Sequence, residues 1–268
     1  MYLLRPDRPK IKPRQWGPIS AVRGAVRDWF ERHGMHVPVL YPPLWEGAGN
    51  AIHDLSGHNL VGVGNGTWTP AGYQLTDSSS QKVTLGKVWR RIAGSTQATV
   101  LARIFPTYLS ADSNVIRSNN GNYDFLMLQF SSDYDIRFYF RNAAGVQTSS
   151  DNTAPLNEVS EVVGRYNDGE IDAFVNGAKG SSRSRTAGAL VNTYDADLTL
   201  GDDYDATCEY LKLMIFDVAL SDDQIALLHD QPYAALQPRS IPFYSIPASA
   251  GTTEVPIMMN HYRRLRAV

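Results

Sequence analysis

The sequence predicts an all-β fold, a two-sheet antiparallel sandwich of jelly-roll type with short helices at its margins, and three observations carry that prediction. First, residues 170–175 alternate, with Ile171, Ala173 and Val175 on one face and Glu170 and Asp172 on the other. That period of two belongs to a strand with one buried face. Second, Asn167-Asp168-Gly169 precedes this run and Asn176-Gly177 follows it. Asn, Asp and Gly tolerate the positive φ that tight reversals between twisted strands require. Third, short strand-like runs recur along the chain at near-regular spacing, the pattern of a sandwich or jelly roll. A hairpin alone is marginal in water, so the run at 161–177 needs a larger sheet around it.

Taken in order, residues 1–18 hold Pro6, Pro9, Pro13 and Pro18 among basic residues. Proline fixes φ and removes a donor, so this stretch reads as an extended arm. From Ser20 to Gly34, Val22, Ala25, Val26, Trp29 and Phe30 recur at helical spacing, Ser20 suits the start and Gly34 the end. The apolar stripe is expected against the body or a neighbouring subunit rather than a membrane, because it is brief. Strand-and-turn character follows from Val37 to Gly66, with a turn at Asp54–Gly57. Strands are expected at 67–75, 82–88, 98–105, 123–130 and 135–141, separated by polar links such as Ser110–Asn122. In the last of them Ile136, Phe138 and Phe140 face one way, and Arg137, Tyr139 and Arg141 the other. After the central hairpin come a polar link at Ser181–Gly188 and strands near 196–201 and 209–217. A short helix is expected at 221–230, where Ser221 and Gln224 form a capping-box pattern and Asp222 and Asp223 suit the positive helix start. Gln231-Pro232 ends it. Past residue 236 the chain is again proline-bearing and extended. The expected organisation is therefore a basic arm with an amphipathic helix at 1–40, a β-domain at 41–236, and a basic C-terminal arm at 237–268.

Composition narrows the function classes. With 43% hydrophobic residues the chain of 268 residues has the means to bury a core, and no run approaches the roughly 20 apolar residues of a spanning helix. The run Met1–Arg5 is too short for a signal peptide. One cysteine, Cys208, excludes an intrachain disulfide or a CxxC metal knuckle, and a reducing cytoplasm is the expected folding environment. The net charge of −2 hides an asymmetry: residues 1–40 carry +5 and residues 237–268 carry +3, which leaves −10 between them. Basic arms on an acidic body suit docking onto acidic partner surfaces. The arms show no recognisable nucleic-acid motif, so no nucleic-acid partner is expected, and no membrane.

Asp54-Leu-Ser-Gly57-His58-Asn59, then Tyr166–Ile171 with Phe174–Gly177, then Leu198–Gly201, then Phe216–Ile225 occur in that order. Together they resemble the laminin-G-like, concanavalin-A-like jelly-roll family across about residues 44–236. The tail Leu227-Leu-His-Asp-Gln-Pro232-Tyr233 is similar to the form found in bacteriophage structural proteins, as is the terminal His261–Arg266. The resemblance implies one jelly-roll domain.

It also implies places to look for chemistry. Laminin-G-like domains often hold calcium at the sandwich rim, and Asp202, Asp203 and Asp205 put three hard oxygen ligands in one loop, with Asp54 and Asp195 as candidate additions to the set. The competing reading is an acidic loop that keeps the body soluble. His53 and His58 straddle the Asp54 turn, a pairing more often incidental than metal-binding. Relatives of the fold include glycosidases, whose hydrolysis needs two carboxyl groups at a fixed separation. The nearest pairs here, Glu170 with Asp172 and Glu158 with Glu161, do not complete such a pattern, and no catalytic residue is assigned. Glycan binding needs exposed aromatic rings beside polar groups, and Tyr108, Tyr123, Tyr134 and Tyr204 lie in or next to polar loops.

The leading expectation is a non-enzymatic bacteriophage virion protein, on the head or the tail. It is assembled in the host cytoplasm, with the jelly roll docked to other virion proteins through its arms. Val22, Val26, Trp29 and Phe30 on the helix and Arg263 and Arg264 in the C-terminal arm are the expected partner-binding residues. A homo-oligomer, a trimer for instance, is the expected assembly, with no cofactor other than the calcium considered above. The alternatives are an adhesin recognising host-surface glycans and a glycoside hydrolase.

Overall fold

The computed structural model describes residues 19–44, 49–58, 60–76, 81–109, 113–119, 123–130, 135–148, 152–180, 182–201 and 206–236. The chain divides into a unit at Met1–Gln237 and a unit at Pro238–Val268, and the second lies outside the described residues. Helix α1 (Ile19–Arg32) comes first. The strands follow as β1 (Ala51–His53), β2 (Val61–Gly64), β3 (Thr67–Trp68), β4 (Tyr73–Leu75), β5 (Val83–Thr84), β6 (Gln97–Leu109), β7 (Ser113–Asn119), β8 (Tyr123–Phe130) and β9 (Asp135–Asn142). They continue as β10 (Gly145–Thr148), β11 (Asn152–Thr153), β12 (Ser160–Asn167), β13 (Glu170–Val175), β14 (Ala178–Lys179), β15 (Arg183–Ser184), β16 (Leu198–Leu200) and β17 (Ala206–Phe216). Helix α2 (Asp222–Asp230) closes the described chain with a single 3-10 turn at Ala234–Leu236.

Two antiparallel sheets form the body. One runs β1-β2-β5-β16-β7-β8-β9-β10, with β11 also pairing β9; the other runs β14-β13-β12-β6-β17-β4-β3, with β15 also pairing β13. The first is the nine-stranded sheet and the second the eight-stranded sheet. Their facing sides share one core, because alternate residues of each strand point inward. Ile136, Phe138 and Phe140 of β9 meet Val162 and Tyr166 of β12, Ile171 and Ala173 of β13, and Leu213 and Ile215 of β17 there. Gly164 of β12 permits this approach: a Cβ at that position would lie 2.2 Å from the Phe138 ring. The hairpin between β12 and β13 turns at Asp168 (φ 44°) and Gly169 (φ 95°), as the Asn-Asp-Gly signal requires.

The outer side of the eight-stranded sheet is buried as well. Leu101, Val163, Phe174, Met214 and Phe216 point away from the first core and are covered by Val26, Trp29 and Phe30 of α1, Ile225 and Leu228 of α2, and Tyr41 and Tyr233. Phe30 meets Tyr41 and Phe216 edge-on, with centroids 6.4 and 5.9 Å apart. This corrects the assignment of Val26, Trp29 and Phe30 to a partner. The sheet beneath α1 presents Phe216 and Met214, and the helix stripe is spent covering them, with Val22 packed at its margin. Helix α2 starts as expected, with both hydrogen bonds of the capping box between Ser221 and Gln224 present.

Two further differences concern strands. The stretch 110–122, expected as a polar link, contains β7, a central strand of the nine-stranded sheet. Its polar residues misled because Ser118 faces inward with its hydroxyl on the Ala196 carbonyl, while two register shifts interrupt the alternation. The link expected at 181–188 likewise holds the short strand β15.

Candidate functional site

The outer side of the eight-stranded sheet is covered, and the outer side of the nine-stranded sheet is the other broad face of the sandwich. The registers place Ala51, Val63, Thr84, Thr199, Arg117, Leu126, Tyr139 and Thr148 in one continuous row across eight strands. At about 4.8 Å per strand such a row spans roughly 34 Å. Exposure along it falls from 60% at Val63 to 8% at Thr199 and Arg117, then rises to half-buried Tyr139 and Thr148. At the middle of the row Thr199 and Arg117 are nearly buried, with exposed Val63 on one side and half-buried Tyr139 on the other.

Each part has a local cause. In β2 the sequence Val-Gly-Val-Gly turns its glycines inward and its valines out, because Cβ atoms on Gly62 and Gly64 would lie 2.6 Å from Leu85 and 2.5 Å from Tyr73. Two large apolar side chains, Val61 and Val63, are thereby left on the surface. In β9 the core takes Ile136, Phe138 and Phe140, so Arg137, Tyr139 and Arg141 are turned outward. Arg141 lies over the ring of Tyr194 at 4.9 Å, which holds its guanidinium in place. At the edge strand β10, Arg185 donates to the Thr148 carbonyl at 3.2 Å and the Thr148 hydroxyl at 2.9 Å. An apolar flank, hydroxyls and planar cations on one face suit a hydroxyl-rich ligand whose C–H faces lie on side chains while its oxygens take hydrogen bonds.

The sequence-predicted residues fall elsewhere. Tyr108 is 47% exposed near the end of β6, opposite Thr207 of β17, and so belongs to the eight-stranded sheet. Tyr123 opens β8 opposite Asn119, its side chain outside the described set. Tyr134, Tyr204, Asp202, Asp203, Asp205, Arg263 and Arg264 lie outside the described residues. The two acids considered beside the calcium loop are committed to other partners. Asp54 is buried and accepts from the Tyr41 and Ser56 amides at 2.8 and 2.9 Å and from the Ser56 hydroxyl at 2.6 Å. Asp195 accepts a bidentate pair of bonds from Arg90, with Asn192 at 3.0 Å and Lys87 at 3.5 Å; the Arg90 bonds hold its carboxyl well below the usual carboxylate range. Among the described residues no cluster of three or more metal-ligating side chains forms.

Two of the four carboxylates weighed for hydrolysis, Glu161 and Asp172, are also occupied. Glu161 is fully buried on the outer side of the eight-stranded sheet, 2.8 Å from the ammonium of Lys212 and 3.9 Å from Arg103. Asp172 meets Arg165 at 2.5 Å and Lys179 at 3.1 Å, and Arg165 in turn reaches Asp222 at the start of α2. These charges join helix layer to sheet. Glu170 is exposed, with Lys179 4.0 Å away.

A family model for the concanavalin A-like lectin/glucanases superfamily matches residues 77–226, more than half of the chain. The chain belongs to that superfamily. No curated protein matches its sequence. Among solved structures, the concanavalin A-like body is similar to the binding domain of botulinum neurotoxin serotype D, at 15% identity and a TM-score of 0.58, over 74% of this chain and 52% of that one. The binding domain of botulinum neurotoxin DC, solved with rat synaptotagmin II, gives 16% and 0.60 over 75% and 52%. A Trypanosoma rangeli sialidase holding 2,3-difluorosialic acid as a covalent intermediate gives 13% and 0.61 over 81% and 38%. At these identities the likeness is one of fold, and the chain spans about half the length of the toxin domains and less of the sialidase.

Proposed function

We propose that this protein is a non-enzymatic, glycan-binding component of a bacteriophage virion, and that the outer face of the nine-stranded sheet is its glycan platform. The observation that carries the glycan reading is the eight-strand row, which presents exposed Val63 and half-buried Thr84, Tyr139 and Thr148 on one face. An extended polymer needs a long, shallow, mixed apolar and hydroxyl-bearing surface, and this face supplies one. Two of the solved structures of similar fold are toxin binding domains and a third is a sialidase holding a sialic-acid derivative, which supports a sugar-directed reading of the fold. The virion reading is supported by the phage-like tail at Leu227–Tyr233 and the basic arms at both ends. In this reading Arg263 and Arg264 grip neighbouring virion proteins, the chain is a homo-oligomer, and the acidic loop at 202–205 takes calcium.

The test of the platform is a glycan array probed with the full chain and with Tyr139→Ala. Binding by the parent, weakened about tenfold or more in the variant with an unchanged unfolding midpoint, is the expected result; a ring–sugar contact worth about 1.4 kcal/mol accounts for that factor. Equal binding by both proteins overturns the platform. Immunogold labelling of purified particles tests the virion reading, and absence of label on particles overturns it.

A further inference from the structure

Beneath the helix layer, Glu161 of β12, Arg103 of β6 and Lys212 of β17 form one row across three neighbouring strands, because Arg103 is in register with both of the others. Glu161 and Lys212 are therefore two strands apart, about 10 Å along the sheet, and their side chains meet across Arg103. The Lys212 Nζ lies 2.8 Å from the Glu161 Oε2, and neither side chain has any exposed surface. Lys212 also donates to the Pro232 carbonyl at 3.3 Å, a second contact that aims its nitrogen. A guanidinium nitrogen of Arg103 lies 3.9 Å from the same carboxylate oxygen. The other oxygen, Oε1, is buried with no hydrogen-bond partner among the described residues, and the Nδ1 of His229 on α2 stands 3.8 Å from it. One buried carboxylate thus faces two cations, with one of them in direct contact.

We propose that Lys212 and Glu161 condense to an amide, an isopeptide cross-link that ties β12 to β17 across β6. The inference is independent of the glycan and virion readings. The Lys212 ammonium first passes a proton to the carboxylate, which leaves a neutral amine beside a carboxylic acid. The amine nitrogen then attacks Cδ of Glu161. The C–N bond forms, one C–O bond breaks, and the hydroxyl departs as water with a second proton from the nitrogen. Nothing is oxidised or reduced, and no further reactant is consumed. Burial favours the proton transfer, because a low-dielectric site penalises both ions, and it pushes the lysine down from its ordinary value even though Glu161 pulls it back up. Proximity favours the attack: Nζ lies within about 4 Å of Cδ, one C–O bond beyond Oε2, and held pairs react as if at concentrations on the order of 10⁵ M or more. Arg103 stands where negative charge builds in the tetrahedral intermediate. The product replaces two buried ions with one neutral amide, at a place where little water is at hand to reverse the step. Until it condenses, the pair behaves as an ordinary buried ion pair.

The test is the intact mass of the folded full chain, read by mass spectrometry under denaturing conditions and followed by peptide mapping. Expected is a mass one water below that of the sequence, together with a branched peptide that joins the segment around Glu161 to the segment around Lys212. Chain collected in denaturant before it has folded should keep the full mass and lose the water on refolding. Lys212→Arg keeps the cation but offers a guanidinium that stays protonated, and should keep the full mass. The branched peptide is sought in the unaltered chain, so the result does not depend on how that variant folds. Folded, unaltered chain at the full sequence mass overturns the cross-link. So does a water loss that mapping places elsewhere, for instance at Asp168-Gly169, where the aspartyl side chain can close on the following amide.

Discussion

Lys212 has no exposed surface, and its ammonium sits 2.8 Å from the Glu161 carboxylate and 3.3 Å from the Pro232 carbonyl. Burial pushes the lysine down from its ordinary value and Glu161 pulls it back up. Removing one member of a buried pair strands the other charge, at about 3–5 kcal/mol. Lys212→Met is expected to lower stability by that amount in urea titrations, and Lys212→Met/Glu161→Leu to recover much of it. Asp172 shows the same economy with a pH signature. Burial alone pushes its carboxyl up, but hydrogen bonds from Ser182, Arg165 and Lys179 outweigh that and leave it below its ordinary value. A carboxylate lowered in the folded state contributes stability that is full above the ordinary carboxylate range and is lost as pH falls through the folded-state value. Asp172→Asn should therefore flatten the acid limb of the stability profile below about pH 4, read by thermal unfolding at a series of pH values. The alternation at 170–175 gave the inward face of β13 correctly, yet assigned Asp172 to solvent. Phe174, two residues on and pointing the same way, carried the missing signal that this side is covered too.

Among the elements, α1 separates what its sequence states from what only tertiary contact decides. Helical spacing located the stripe of Val22, Val26, Trp29 and Phe30, but a stripe does not name what it covers. Its occupant, Phe216 with Met214 and Leu101, lies more than seventy residues away along the chain and is reached through pairing of β6 with β17. Phe30→Ala is expected to cost about 3–5 kcal/mol, since a fully buried ring is replaced by a cavity beneath the helix. Chemical denaturation followed by near-ultraviolet circular dichroism checks this. A partner-facing ring would give almost no change in the isolated chain. Strand β7 was missed for a related reason. A central strand whose outward residues include Asn114 and Arg117 and whose inward residues include Ser118 offers little hydrophobic contrast, and its place comes from β8 and β16 on either side.

For the whole molecule, the sandwich was legible because period-two patterning and turn chemistry are local properties. The platform was half legible. Outward-facing Arg137, Tyr139 and Arg141 stand in the alternation of β9 itself. Their alignment with Arg117, Thr199, Thr84 and Val63 depends on registers between strands distant in sequence, and a slip of one residue would send every one of those side chains into the core. The exposed valines of β2 depend likewise on Leu85 and Tyr73 filling the space where a side chain at Gly62 or Gly64 would go. Site-directed blocking measures the result. Cys208 is fully buried, and burial pushes its thiol well above the ordinary range, so an introduced surface cysteine can be labelled selectively. The decisive measurement is glycan-array binding after attaching a polyethylene glycol maleimide to Thr84→Cys, in the cross-sheet row, or to Glu170→Cys, on the other sheet. The adduct on Thr84→Cys is expected to abolish binding and the adduct on Glu170→Cys to leave it intact; undiminished binding with the outer face of the nine-stranded sheet blocked would contradict the glycan platform.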